Sequence, residues 1–136
     1  MCFDFPEQNT TVYGLSYWHR EIRQALYDEV FPKNTDRINI LLAHGGDERH
    51  IPFSVEKILR HGFDYIAAGH IHKGGQLVQG RAVMAGALEP TDCNDTGAHG
   101  YWMGNIDKTH CDVSFYPMRK CEYCHEAVEV LSLIHI

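Results

Sequence analysis

Two apolar runs, each cut short by a glycine-histidine segment, constrain this chain more than any other feature. Arg37-Ile38-Asn39-Ile40-Leu41-Leu42-Ala43 stops at His44-Gly45-Gly46-Asp47, and Asp64-Tyr65-Ile66-Ala67-Ala68 stops at Gly69-His70-Ile71-His72. Short, near-continuous apolar runs are the pattern of strands covered on both faces. Between them Ser54 offers a helix N-cap to Val55-Glu56-Lys57-Ile58-Leu59-Arg60, and Gly62 is placed to end that helix. Strand, helix and strand make a βαβ unit with parallel strands and a right-handed crossover. Ligands of such sheets gather beyond the carboxyl ends of strands, so His44 and the His70/His72 pair are candidates to meet in space.

The rest of the chain reads as one continuous domain, residues 1–130. Thr11 to Ser16 suits a short strand. Ile22, Leu26 and Val30, spaced by four, suit one face of a helix over His19 to Phe31 that Pro32 ends. From residue 74 the period shortens. Gln76-Leu77-Val78 and Ala82-Val83-Met84-Ala85-Gly86 read as a hairpin, and 100–105 and 113–118 as further strands. The expected architecture is α/β, a βαβ unit followed by mostly antiparallel strands.

Composition narrows the function classes. Hydrophobic residues at 44% and charged residues at 22% are those of a globular protein, and no stretch approaches the roughly eighteen apolar residues of a membrane span. The opening residues lack the basic and apolar regions of a secretory signal, so a cytoplasmic protein without a membrane partner is expected. Five cysteines, an odd count, argue for reduced thiols rather than a disulfide framework. The net charge of -6 offers no basic footprint for a nucleic-acid backbone. Bound cations would themselves supply the positive charge that meets a phosphate.

Ten histidines are the compositional anomaly. His19, His50, His61, His110 and His125 sit among charged or polar neighbours and read as ordinary surface residues. His44, His70 and His72 differ, because imidazole is a common ligand for divalent transition metals and glycines let the backbone turn closely around them. The plainer alternative leaves them as exposed loop residues. Cys121-Glu122-Tyr123-Cys124-His125 matches a local haem-attachment pattern, and Cys121 and Cys124 with His110 or Cys111 are a candidate zinc knuckle; surface thiols are the favoured reading. Lys73 reads as an exposed lysine, and Asp92 to Gly97 as a turn-rich loop.

Leu42-Ala43-His44-Gly45 and Gly69-His70-Ile71-His72 resemble the last two metal-binding motifs of the calcineurin-like metallophosphoesterases. Tyr13-Gly14-Leu15-Ser16 and Ala85-Gly86-Ala87-Leu88-Glu89-Pro90 look most like the DNA-repair exonuclease branch, the SbcD-like nuclease subunits. The resemblance covers roughly residues 11 to 130 and implies the C-terminal half of a four-layer αββα sandwich. It further implies a phosphodiester hydrolase, with two divalent ions, typically Mn2+, DNA as substrate and an SbcC-like ATPase as partner. By position His44 and His70 would bind the second ion and His72 the first. Each must be neutral to coordinate, so activity should fall below about pH 6.

The family pattern also includes Asp-x-His, Gly-Asp-x-x-Asp and Gly-Asn-His segments upstream, and none occurs here. Carboxylate co-ligands are therefore expected on a missing N-terminal half, and this chain alone is expected to be inactive. Leu131 to Ile136 resembles the translation of a transposon adapter used in sequencing libraries and is set aside as an added tail. Two other functions fit the same residues: a small-nucleotide phosphodiesterase, and a non-catalytic, metal-stabilised binding module.

Overall fold

A computed structural model describes residues 1–129; the expected adapter-derived tail, 131–136, lies outside them. Six strands form one sheet in the order β1-β2-β3-β4-β6-β5. They are β1 Cys2–Phe5, β2 Thr10–Gly14, β3 Ile38–His44, β4 Tyr65–Gly69, β5 Gly75–Val78 and β6 Ala82–Met84. The inner strands β2, β3, β4 and β6 run parallel, while β1 and β5 close the two edges antiparallel. A second sheet pairs β7, Gly100–Ile106, with β8, Cys111–Pro117. The mixed α/β architecture agrees with the reading from sequence, and the hairpin of β5 and β6 forms. β6 also joins β4 in parallel, which extends the βαβ core by one strand.

Helix α1, Val55–Arg60, starts at Ser54, whose side chain accepts a hydrogen bond from the Lys57 N–H. His61 takes the C-cap position, and Gly62 follows at φ +101°, a left-handed turn that glycine adopts without strain. Ile58, fully buried, points from α1 onto the sheet. The face it meets carries Tyr13, Leu41, Ala43, Ile66, Ala68, Ala82 and Met84, joined by Tyr27, Ile51 and Phe63. Burying side chains such as Leu41, Ile58 and Ile66 contributes about 1.5–3 kcal/mol each.

The opposite face is treated unevenly. Over β4 and β6, Tyr65 and Val83 are buried, and Tyr101 and Trp102 of β7 help line the cleft above Ala67 and Val83. Over β1 and β3 the face is open, and Phe3, Phe5 and Leu42 are 63%, 48% and 51% exposed.

The helix expected over His19 to Phe31 does not form. A 3-10 turn at Leu26–Glu29 is its only helical part. Ile22 instead makes backbone hydrogen bonds with the 49–51 loop, its N–H to the Arg49 carbonyl at 2.8 Å and its carbonyl from the Ile51 N–H at 2.7 Å. Tyr27 is driven into the core. Tertiary pairing overrides a weak local periodicity. Among the described residues no helix is long and apolar enough to cross a membrane.

Candidate metal centre

The register of β3 and β4 sets the geometry. His44 pairs with Gly69, so the ends of the two strands lie side by side and the next residue, His70, comes up beside His44. Their rings meet edge to face, with centroids 4.9 Å apart. Two of the three sequence-predicted ligands are thus brought together. The buried Tyr27 hydroxyl accepts from the His44 N–H at 2.9 Å, which anchors the end of β3 from below. His70 sits at φ +102°, a conformation that strains any residue with a side chain and that the packing around it must hold.

Beyond His44 the chain makes a tight loop that only glycine permits. Gly45 has φ +146°, and a Cβ there would fall 2.1 Å from the His50 carbonyl oxygen. The Gly46 N–H donates back to the carbonyls of His50 and Ile51. The loop therefore folds over itself and delivers two side chains, Asp47 and His50, onto His70. Asp47 Oδ2 lies 3.0 Å from His70 Nε2 and 2.8 Å from His50 Nδ1. The His50 and His70 rings are 4.3 Å apart. Donor atoms of Asp47, His50 and His70 all lie within 4.8 Å of one another.

Charge is distributed to suit cation binding. Backbone hydrogen bonding from Arg49, then hydrogen bonds with the His50 and His70 rings, hold the Asp47 carboxyl far below the usual carboxylate range. His44 is pushed down, first by burial and then by the neighbouring His70 and His50, which keeps its ring neutral with a free lone pair. A cleft of about 300 Å³, lined in part by Phe3, Val12, Leu42 and His44, opens beside the cluster.

His72 is held elsewhere. Its Nδ1 is 3.0 Å from Asp95 Oδ2 and 2.9 Å from Thr91 Oγ1, while the Thr91 hydroxyl donates to the same Asp95 oxygen at 2.6 Å. Hydrogen bonds from the Thr91 side chain and backbone, then from His72, bring the Asp95 carboxyl down to about 2. An ionised Asp95 only accepts, so His72 Nδ1 carries a proton, which leaves Nε2 as the nitrogen that would meet a metal, the arrangement that carboxylate-histidine-metal triads use. Buried His99 ties this loop down, its ring nitrogens 3.1 Å from the Ala87 carbonyl and 3.0 Å from that of Asp95.

Nitrogen and carboxylate donors in this combination fit a divalent first-row ion. Sequence reasoning missed Asp47 and His50. His50 reads as a surface residue, and the only hint is the Gly45-Gly46 pair, which marks a loop able to fold back. Asp95 falls in what reads as a turn-rich loop, and Thr91 immediately precedes it. His19, His110 and His125 are exposed. His61 stacks on Phe31 at 4.0 Å. Cys93, Cys121 and Cys124 are free and exposed, and among the described residues none joins a cluster of metal-ligating groups.

The chain is similar to an uncharacterized metallophosphoesterase, YhaO, of Bacillus subtilis (strain 168), with 27% identity over 114 residues that take in 77% of this chain. It spans 27% of that relative's length. No family model matches the sequence, and no solved structure matches it. The similarity supports kinship with the metallophosphoesterase superfamily at most.

Proposed function

We propose that this chain supplies the C-terminal metal-binding part of a phosphodiester hydrolase, with DNA ends as the substrate. The observation that carries this reading is the pair His44 and His70 side by side at the ends of adjacent parallel strands, with His72 on the same loop. His44 and His70 would hold one divalent ion and His72 the other, with Mn2+ the expected metal. Bound there, the ions would polarise a phosphoryl oxygen and make water a nucleophile near neutral pH. The chain's own groups prepare those ligands: Tyr27 fixes the His44 backbone, Asp47 orients the His70 ring, and Asp95 with Thr91 fixes the His72 tautomer.

Because the upstream acidic motifs are absent from this sequence, the chain by itself is expected to bind metal but not to turn over. A cytoplasmic location and an SbcC-like ATPase partner belong to the same reading. The net charge of -6 favours a second one, a small-nucleotide phosphodiesterase, because an acidic surface does not steer polyanions. To separate them, the chain would be extended by the reading frame upstream of Met1 and assayed with Mn2+ on DNA ends and on bis-p-nitrophenyl phosphate. Cleavage of the small diester alone sinks the nuclease claim. Failure to cleave either substrate, with ions bound, turns the reading to a binding module. His44→Gln and His70→Gln should each lower both metal content and hydrolysis.

A further inference from the structure

We infer that Asp47 and His50 join His70 in a one-ion site that takes a first-row transition-metal dication of the zinc or cobalt kind. The site shares His70 with the pair assigned above, adds two donors from the 45–50 loop, and stands whether or not phosphodiester hydrolysis is found.

The geometry points to metal rather than to a plain ion pair for three reasons. First, a single oxygen, Asp47 Oδ2, faces both rings, 2.8 Å from His50 Nδ1 and 3.0 Å from His70 Nε2. Ligands about 2.0–2.2 Å from a common ion are spaced about 3.0 Å apart in octahedral and about 3.4 Å apart in tetrahedral coordination, so the oxygen-nitrogen spacings need to open by only a few tenths of an ångström. Second, the carboxylate is fixed by the backbone. Asp47 Oδ1 accepts from the backbone N–H groups of Arg49 at 2.8 Å and His50 at 3.0 Å, with His50 Nδ1 2.8 Å from both carboxylate oxygens, and Oδ2 is the oxygen that also faces His70. Third, the supports are rigid backbone. Gly45 and Gly46 hold the loop shut against His50 and Ile51, and His70 is held at a positive φ at the end of β4.

Two imidazoles and one carboxylate select the chemical class. Mg2+ and Ca2+ prefer all-oxygen sites, while Zn2+, Co2+, Fe2+ and Mn2+ accept mixed nitrogen and oxygen donors. Side-chain exposures of 24% for His70, 30% for His50 and 44% for Asp47 leave the donors reachable from solvent, with room for water or a substrate oxygen as the remaining ligands.

The test uses the chain as it is, stripped with chelator and titrated with Co2+ under visible absorption, then with Zn2+ in competition and by calorimetry for stoichiometry. One ion per folded chain is expected, with a d–d band that Zn2+ removes. Asp47→Asn and His50→Gln should each weaken Co2+ binding by more than about 100-fold, above the range seen when only an outer partner of a ligand is lost. His110→Gln, at an exposed histidine outside every cluster of metal-ligating groups among the described residues, should leave the affinity within about twofold. Retained affinity in either Asp47→Asn or His50→Gln overturns the site, as does a loss in His110→Gln equal to theirs, or no bound ion in a chain whose circular dichroism is native. His50→Gln keeps the test decisive if Asp47→Asn fails to fold. Hydrolysis is not read in this experiment, so its failure and that of the phosphodiesterase reading are separate results.

Discussion

His70 and His72 are two residues apart on one loop, yet their surroundings are built differently. His70 stands at the end of a buried strand, on strained backbone, under a loop that two glycines fold over it, and its neighbours are two more imidazoles and Asp47. His72 is half exposed and is held by Thr91 and Asp95 from a turn-rich segment that buried His99 ties to the loop below it. The first station is a convergence of donor atoms. The second is one donor with its partner proton assigned. Backbone constraint decides the first and a local side-chain triangle decides the second, so the two should respond to different perturbations.

The largest expected separation comes from Gly45→Ala. A methyl group 2.1 Å from the His50 carbonyl oxygen, at φ +146°, forces the loop open. A loss on the order of 2–4 kcal/mol is expected in thermal or denaturant unfolding. Nitrogen-15 imidazole signals of His50 and His70 should move while the His72 tautomer signature stays. If His72 changes equally, the two stations are one cooperative unit.

Acid should distinguish them next. His44 has a folded pKa below its unfolded 6.5, so the folded state binds fewer protons there. Its contribution to stability is complete above about 6.5 and is lost as pH falls through the lower folded value. The melting temperature of the metal-free protein should therefore drop more steeply below pH 6.5 than that of His44→Gln, compared by calorimetry at matched ionic strength. Equal slopes would mean the imidazole cluster does not disfavour the charge.

Thr91→Val should have the smallest effect, confined to the second station. Removing the hydroxyl that donates to Asp95 at 2.6 Å takes away the leading cause of its low pKa. The carboxyl should titrate above about 2, toward its ordinary 3.8, by carbon-13 NMR. By the same sign rule, the stability Asp95 contributes, present above 3.8 and lost as pH falls through about 2, should shrink in the variant. Metal binding at Asp47, His50 and His70 should not change.

How much of this could be read from the sequence follows the same division. Strands β3 and β4, the Ser54 cap and the placement of His44 near His70 were legible, because apolar runs, a capped helix and strand-end glycines are local signals with a global consequence. The helix over His19 to Phe31 was misread because Ile22 bonds to residues 49 and 51, a pairing no local period encodes. Asp47 and His50 were invisible for a similar reason: they look like polar loop sequence until Gly45 and Gly46 turn the chain back. The edge strand β1 escaped because a four-residue segment with three exposed positions carries little alternation.

The open half of the sheet has a colloidal consequence. Phe3, Phe5 and Leu42 present oily surface to solvent, and patches of this kind promote self-association. Repulsion between copies, each carrying a charge of -6, opposes that association only over the reach of the electric field, about 30 Å at 0.01 M salt and about 10 Å at 0.1 M. The chain should stay dispersed in dilute buffer and form oligomers as salt is added, sulfate acting more strongly than chloride.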